Sequence, residues 1–290
     1  MDVEWAPLSA GDAARIAGLA GRCLEHDGGL PETASPAFLE RRYTGDGVSA
    51  VGALADGRLL ACGAVRPGPG TTVMTGLVDP AYRGLGLGSG LLDRLLGMAP
   101  DGPGRLRAET ESLTREAHEL FASRGFERTF AEDVHRLDLA RPLPRAPLPA
   151  GVRVEEWTAG DLDAFYAAYR GSFADRPGFP GWSRDEWIGW LTDDTFLPAC
   201  SLVARAGDGT PVGFVACAEG FLIQVGCVPR WRRRGLGAAL ATLALGRMRE
   251  RGDTEAFLDV NVDNPASAAL FRSLGSTPIA RRARYERGGR

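Results

Sequence analysis

A glycine-rich segment headed by an arginine occurs twice in this sequence of 290 residues. The first copy runs from Arg83 to Ser89 and the second from Arg232 to Ala238, and each follows a proline and leads into an apolar, helix-forming run. N–H groups at a helix N-terminus carry partial positive charge, and glycines let a ligand approach them closely. The pattern is therefore typical of a loop that binds a pyrophosphate, and its repetition indicates two copies of one fold.

The same order of predicted elements surrounds both loops. Hydrophobic periodicity predicts a strand, a helix, a hairpin, a strand ending at the proline, the loop with its helix, and then strand, helix and strand in each half. A segment with four prolines, 141–151, lies between the copies and is typical of an extended linker. We therefore expect one domain over 1–140 and another over 152–290, joined by a linker over 141–151.

Composition excludes several classes of protein. A hydrophobic content of 44% with 24% charged residues is typical of a globular protein, and no apolar stretch approaches the roughly 20 residues that cross a bilayer. The net charge of −3 opposes general binding to nucleic acid. Five cysteines without metal-ligand spacing, and an N-terminus without a signal-peptide pattern, favour a cytoplasmic protein with reduced thiols and no bound metal. We expect a monomer or dimer with no membrane partner.

Both halves resemble the GNAT superfamily of N-acetyltransferases, whose acyl-CoA loop is a proline followed by Arg/Gln-x-x-Gly-x-Gly/Ala. In the second half, residues 264–275 (Asn-Pro-Ala-Ser-Ala-Ala-Leu-Phe-Arg-Ser-Leu-Gly) also resemble the downstream family motif, whereas the first half has Thr114 where the family prefers asparagine. The tandem arrangement is similar to that of mycothiol synthase-like two-domain acetyltransferases. The resemblance implies an α/β (α+β layered) fold class with two GNAT-like domains, each a mixed, mostly antiparallel sheet flanked by helices. It also implies acetyl-CoA, or another short acyl-CoA, as the cofactor.

The resemblance assigns cofactor contacts in both halves. In the second half it places the main chain of one strand along the pantetheine arm, the loop around the pyrophosphate and an asparagine near the arm: Val225, Gly226, Cys227, Arg232, Arg233, Arg234, Gly235, Leu236, Gly237, Ala238 and Asn264. The matching positions of the first half are Gly76, Leu77, Val78, Arg83, Gly84, Leu85, Gly86, Leu87, Gly88 and Ser89. A strand whose ladder is interrupted there would offer an N–H group to the thioester carbonyl.

The acid and base positions of the family are changed in both halves. The glutamate that members often use as general base falls at Thr72 and Phe221, and the tyrosine often assigned to protonate the leaving thiolate falls at Phe121 and Phe271. None of these side chains supplies the expected proton transfer. The resemblance then implies direct attack of an amine on the thioester, assisted by positioning and by the oxyanion contact.

Three other polar residues of the second half are candidates for catalysis. Glu219 precedes the loop strand, Gln224 lies within it, and Asp175 begins a loop on the acceptor side. Glu219 also fits a solvated carboxylate at a strand end, and Asp175 a turn or cap residue. Cys227 has no histidine near it in sequence, and we interpret it as a small apolar strand residue.

Two segments are candidates for the acceptor side. The aromatic segment 173–190, which contains Pro177 and Gly178, fits either a small organic acceptor or an interdomain packing surface. In the first half, the cluster from Glu109 to Ser112 follows a strand end and could face an acceptor amine, although surface carboxylates need no such role.

The sequence therefore predicts an acetyl-CoA-dependent N-acetyltransferase acting on the amine of a small molecule. The second half matches the motifs better, and we predict it to be catalytic, with the first half a partly degenerate copy. An acyl-CoA-binding or regulatory module without catalysis remains as the alternative, because both halves lack the acid and base. A dinucleotide-binding oxidoreductase is disfavoured because the first loop lacks Gly-x-Gly-x-x-Gly spacing.

Overall fold

The computed structural model describes residues 2–100, 102, 104–176 and 179–288. Contacts within the chain divide it into two compact units, one made of Met1–Val134 with Pro278–Arg290 and the other of His135–Thr277. Along the chain, both halves contain the strands and helices expected from the sequence, together with the additional short helices described below. Among the described residues, no helix is both long and apolar enough to cross a membrane.

A mixed sheet forms the centre of the first unit. Its spatial strand order is β1-β2-β3-β4-β5-β12-β6. Neighbours pair antiparallel except β4 with β5, which pair parallel, among the registers described. The strands are β1 (Glu4–Leu8), β2 (Ser49–Ala55), β3 (Arg58–Arg66), β4 (Thr71–Val78), β5 (Arg105–Thr110), β6 (Glu127–Asp138) and β12 (Thr277–Gly288).

Helices cover both faces of this sheet, because alternate strand residues point to opposite faces. The helices are α1 (Ala13–Asp27), α2 (Pro36–Leu39), α3 (Leu87–Met98) and α4 (Arg115–Ser123). Helix α1 packs in one apolar cluster with Cys62 and Ala64 of β3. Leu91 and Leu95 of α3 cover Gly63 on the opposite face, where an added Cβ would come within about 3 Å of both leucines.

The second unit repeats this plan. Its strands lie in the order β11-β10-β9-β8-β7, with the end of β6 beside β11. The strands are β7 (Arg153–Glu156), β8 (Leu202–Arg205), β9 (Pro211–Ala218), β10 (Phe221–Cys227) and β11 (Glu255–Asn261); the helices are α5 (Leu162–Phe173), α6 (Arg184–Leu191), α7 (Leu236–Arg251) and α8 (Pro265–Ser273). Helix α5 packs on the face of Phe214 and Ala216, and α7 packs on the face of Val215 and Cys217.

The structure confirms the predicted architecture: two repeated halves, each a mixed, mostly antiparallel sheet with helices. Helix α6 was not predicted; it begins at a capping box between Ser183 and Glu186 inside the aromatic segment. Residues 141–149, part of the segment predicted to be a linker, form neither helix nor strand and lie within the second compact unit. Leu143 and Leu148 of that segment nevertheless pack against the apolar core of the second unit.

The bounds of the compact units differ from the predicted domain bounds, because β12 lies in the first unit. It pairs with β5 from Ala283 opposite Thr110 to Gly288 opposite Arg105. Tyr285 of β12 is fully buried there, and its hydroxyl lies 2.8 Å from His118 Nδ1. The last strand therefore completes the core of the first unit rather than the edge of the second.

This placement of β12 predicts how fragments behave. A fragment of residues 1–151 should lose cooperative unfolding, because it exposes one edge of β5 and lacks the buried Tyr285. The same fragment with residues 277–288 fused through a glycine-serine linker should recover it. Thermal unfolding followed by circular dichroism compares the two, and a cooperative transition in the shorter fragment at the melting temperature of the fused one would contradict the prediction.

Candidate functional site

The paired strands β4 and β5 separate in the first unit just before the glycine loop. They stay in register from Thr71 opposite Arg105 to Thr75 opposite Glu109, and the described ladder ends there. On its other side, β4 stays paired with β3 as far as Val78 opposite Ala61. Gly76, Leu77 and Val78 therefore keep one partner strand and open a gap on the other side.

Strand alternation shows which backbone groups face this gap. The N–H of Asp79 donates to the carbonyl of Leu60 at 2.8 Å, so it points towards β3. Because N–H directions alternate along a strand, the N–H groups of Gly76 and Val78 point the other way, into the gap. These are two of the residues assigned to the pantetheine arm from the sequence.

The second unit has the corresponding gap. Strands β10 and β11 share a single described register pair, Phe221 with Phe257, and β10 carries an irregularity between Leu222 and Gln224. The N–H of Val228 donates to Val212 O at 3.0 Å. By the same alternation, the N–H groups of Val225 and Cys227 face the gap.

Both glycine loops need residues in the left-handed region. Gly84 and Gly86 have φ values of +75° and +84°, and Gly235 has +83°. The position equivalent to Gly84 in the second loop is Arg233, with φ +62°. A left-handed conformation costs a non-glycine residue about 1–2 kcal/mol, so the first loop adopts this shape with less strain than the second.

The signature arginines bind the protein's own chain. Arg83 donates from Nη1 to Asp27 Oδ1 at 2.7 Å and pairs with the other carboxylate oxygen through Nη2. Its Nε donates to Val78 O at 3.2 Å. Arg232 repeats the arrangement, with Asp175 at 2.6 and 2.8 Å and Cys227 O at 3.2 Å. In each unit one arginine therefore ties the end of the gap-facing strand to an aspartate at the end of the first long helix.

These pairs keep both aspartates ionised. Burial alone would raise the pKa of Asp27, but hydrogen bonds from Arg83 and His26 outweigh it, and the pKa is lowered. The hydrogen bond from Arg232 lowers the pKa of Asp175. Asp175, a candidate for catalysis from the sequence, would have to leave Arg232 to accept a proton.

A cavity of about 470 Å³ occupies the first unit where β4 and β5 separate. Its wall contains residues Gly76 to Val78 of β4 and five residues of the loop: Arg83, Gly84, Gly86, Gly88 and Ser89. Leu24 of α1 and Leu95 of α3 also line it, although these helices cover opposite faces of the sheet. The cavity therefore reaches both faces beyond the end of the ladder. All the loop residues that line it were predicted from the sequence.

Two glutamates that line the same cavity, Glu109 at the end of β5 and Glu111 just after it, belong to an ion-pair cluster. Arg42 donates to Glu109 and Glu111, each at 2.5 Å, and all three side chains are largely buried. Arg284 and Arg282 lie 3.8 Å from Glu109 and Glu111 respectively. Burial raises the pKa of Glu109, but the Arg42 hydrogen bond and further arginine charges reverse the shift and lower it. The sequence indicated the two glutamates; Arg42, 67 residues from Glu109, carried no local signal.

In the second unit, aromatic side chains pack on the face of the sheet that α5 covers, which is equivalent to the face covered by α1 in the first unit. Trp187 is fully buried and stacks on Tyr169 with ring centroids 4.5 Å apart. Phe214 packs edge-on against both rings. An added Cβ at Gly226 would lie 2.7 Å from Phe214 and from Ser172, so these side chains cover the strand directly. Pro177 and Gly178 of the predicted aromatic segment lie outside the described residues.

The other candidates from the sequence lie at separate places. Glu219 is exposed in the turn between β9 and β10, at the end of β10 remote from the loop. Gln224 accepts a hydrogen bond from the Trp187 indole at 3.2 Å. Asn264 caps α8 by accepting from the N–H of Ser267, as Thr114 caps α4 in the first unit. The structure does not bring Glu219, Gln224 and Asp175 into one cluster.

The described thiols and acids form neither a nucleophile site nor a metal site. Burial raises the pKa of Cys227 to about 11, so this thiol stays protonated at neutral pH. Cys23, beside the first loop, has its pKa raised to about 11 for the same reason. Among the described residues, no group of three or more His, Cys, Asp or Glu side chains is arranged to hold a metal ion.

Comparison with known proteins agrees with this geometry. The profile of the Acetyltransferase (GNAT) family matches residues 19–126 and 162–275. The mycothiol acetyltransferase of Thermobispora bispora is 32% identical over 279 residues, covering 92% of this chain and 93% of that protein. The mycothiol acetyltransferase of Clavibacter michiganensis subsp. michiganensis is 30% identical over 239 residues, covering 80% and 78% respectively.

Solved structures show the same fold. A GCN5-related N-acetyltransferase from Sphaerobacter thermophilus has a TM-score of 0.76 at 24% identity, with 99% of this chain and 95% of that chain covered. A tandem GNAT protein from the clavulanic acid biosynthesis pathway has a TM-score of 0.65 at 17% identity, with 99% and 98% covered. The chain belongs to the GNAT family of acetyltransferases, in tandem form. This confirms the resemblance and the N-acetyltransferase class predicted from the sequence.

The arginine–aspartate pair predicts a pH-dependent effect on stability. Because the folded-state pKa of Asp27 is lowered, its stabilisation is present above the unfolded value of about 4 and is lost as pH falls through the folded value. Asp27→Asn should therefore lower the free energy of unfolding at pH 7 and differ less from the parent protein at pH 3. It should also weaken binding of acetyl-CoA about tenfold by loosening the loop.

Urea unfolding at the two pH values and calorimetric titration with acetyl-CoA measure these effects. Asp46→Asn is the matched control, because Asp46 is an exposed aspartate of the same unit. An equal loss of stability at pH 3 and pH 7 would contradict the role assigned to the Asp27 charge.

Proposed function

We propose that this chain transfers the acetyl group of acetyl-CoA to the amine of a small molecule. The observation that carries the proposal is the cavity at the end of the β4–β5 ladder, which joins a glycine loop at a helix N-terminus to two gap-facing N–H groups. Family membership supports acetyl transfer. The names of the relatives, mycothiol acetyltransferases, support acetylation of a small molecule rather than of a polymer.

The residues present fit an acyl-CoA. The first turn of α3 and the glycines before it present backbone N–H groups to a pyrophosphate, with the helix dipole adding positive charge. When bound, acetyl-CoA would supply an acetyl group activated as a thioester. The N–H groups of Gly76 and Val78 are positioned to donate to a carbonyl oxygen in the gap and to stabilise negative charge there.

The chain's own contribution to proton transfer is small. Phe121 lines the cavity at the family's tyrosine position, and its ring lies 4.8 Å from that of Tyr285. Thr72 occupies the position of the family's glutamate base. The hydrogen bond from Arg42 lowers the pKa of Glu109, and a carboxylate with a lowered pKa is a weaker base. The acceptor amine must therefore arrive neutral or lose its proton to water, and the protein accelerates transfer by orientation and oxyanion stabilisation.

Release of free CoA thiol tests the proposal. The purified chain with acetyl-CoA should release thiol when small primary amines are added, and mass spectrometry should find the acetylated amine. Acetyl-CoA binding without thiol release for any amine of a broad panel would instead support the acyl-CoA-binding module.

Direct attack by a neutral amine predicts a particular pH profile. The logarithm of kcat/KM should rise with pH with a slope of about one and level off near the pKa of the amine itself. Two acceptors of different basicity should therefore level off at different pH values. A profile with the same midpoint for both amines would show that a protein side chain acts as the base.

A further inference from the structure

We infer that acyl transfer takes place in the first unit, in the cavity between α1 and α3, and that its acceptor is a primary amine on an apolar body. This inference rests on the proposed function and names its site and substrate class. It assigns catalysis to the half that matches the family motifs less well in sequence.

The first reason is that the cavity has room for the acyl donor and the acceptor amine side by side. Leu95 and Phe121 line it on the side of α3 and α4, next to the phosphate loop. Leu24 and Phe38 line it on the side of α1 and α2. Between the two sides lies the gap faced by the N–H groups of Gly76 and Val78. An acyl donor and an acceptor can therefore meet where β4 and β5 separate.

The second reason is a reversal of side-chain size between the units. Cys62 pairs with Leu77 in the first unit, and Phe214 pairs with Gly226 at the corresponding positions of the second. In the second unit Phe214, together with the stacked Trp187 and Tyr169, occupies the face beside α5. On the same face of the first unit β3 carries the small Cys62, and its partner Leu77 lines the cavity. The aromatic side chains of the second unit therefore occupy the space that would be equivalent to the acceptor side of the first-unit cavity.

The third reason is the distribution of polar groups and strain. In the second unit Phe257 pairs with Phe221, and Val260 lies three residues after Phe257. In the first unit Leu106 is equivalent to Phe257, and Glu109 lies three residues after it. The apolar Val260 therefore occupies the position that the carboxylate Glu109 has in the first unit. Its loop also holds Arg233 in the left-handed region, where the first loop has Gly84.

The cavity wall indicates the acceptor class. On the side of α1 and α2 it contains Leu24, Phe38 and Tyr43, and the nearby carboxylates Glu109 and Glu111 are bound by Arg42. The hydroxyl of Thr33 donates to Leu30 O, and that of Ser112 donates to Gly28 O, so both donors are occupied by backbone carbonyls. The hydroxyl oxygens of a polyhydroxylated acceptor would therefore find neither of these donors free, whereas an apolar body would bury its surface favourably.

The reaction balances without a further reactant. The amine nitrogen forms a bond to the carbonyl carbon of the acyl group, and the carbon–sulfur bond breaks. The sulfur leaves with the bonding electron pair as the CoA thiolate, and the proton of the amine passes to water.

Matched loop variants locate the transfer site. Gly88 and Gly237 occupy the same position of the two helices, and an added Cβ at either has only ordinary neighbours at 3.4 Å or more. An aspartate at either position should therefore fold and place a negative charge against the pyrophosphate. Gly88→Asp should lower kcat/KM about a hundredfold, because it weakens the binding of acetyl-CoA by about that factor. Gly237→Asp should lower kcat/KM less than about tenfold.

The outcomes separate the two proposals. A large loss in Gly237→Asp with a small loss in Gly88→Asp would overturn the inference and leave the proposed function intact. Equal large losses would also overturn it, because both units would then be needed for turnover. No turnover by the unaltered chain with any amine would contradict the proposed function itself. Circular dichroism and melting temperature verify that each variant is folded.

A second pair of variants tests the acceptor place. Thr33→Trp should fill the side near α1 and raise KM for the amine at least about tenfold while changing KM for acetyl-CoA less than about twofold. Glu32→Trp, on the neighbouring exposed residue, should change neither. A rise in both Michaelis constants for Thr33→Trp, or none in either, would contradict an acceptor place there.

The substrate class is tested with phenethylamine and glucosamine as probes, since both carry a primary amine. The unaltered chain should show kcat/KM at least about tenfold higher for phenethylamine, because its ring buries apolar surface. Equal or higher kcat/KM for glucosamine would overturn the assignment of an apolar-bodied acceptor.

Discussion

The bidentate pair of Arg83 with Asp27 fixes the geometry on which the site depends. It joins the C-terminal end of α1 to the last carbonyl of β4, at the point where β5 has already left the ladder. Without a tie at this point, the backbone facing the gap would be held by one strand only. The same pair, Arg232 with Asp175, appears in the second unit with an independent sequence around it. The repeat therefore indicates that the signature arginine positions the loop through the protein as well as through charge.

Local patterns were sufficient to predict most elements. Strand β4, the loops and helix α8 follow from apolar periodicity and glycine placement within one short segment. Partners distant in sequence had no such signal: Asp27 lies 56 residues from Arg83, and Arg42 lies 67 from Glu109. Many charged residues offer alternatives at those separations, and only the packed helices and sheet select one. For the same reason the sequence indicates Asp175 as a catalytic candidate, whereas in the structure it pairs with Arg232, 57 residues away.

The two units show how one fold can keep a cavity or fill it. In the first unit the larger side chain of the cross-strand pair is Leu77 of β4, opposite Cys62. In the second unit it is Phe214 of β9, opposite Gly226, on the same face of the sheet. A cluster of stacked rings gains both apolar burial and favourable ring geometry, so the filled unit gains stability where the open one retains space. In this interpretation stability and ligand space are divided between the repeats, and motif similarity alone does not show which repeat carries which.

The position of β12 has a consequence for the order of events during synthesis. Domains commonly fold as units from the N-terminus while the chain emerges at about 5–20 residues per second. Here the first unit lacks its strand beside β5 until residues 277–288 have left the ribosome, although the glycine loop of that unit is made much earlier. The second unit can complete its core first. The cavity of the first unit is therefore finished only after the second unit has been synthesised, which couples its formation to a strand made more than 180 residues after the glycine loop.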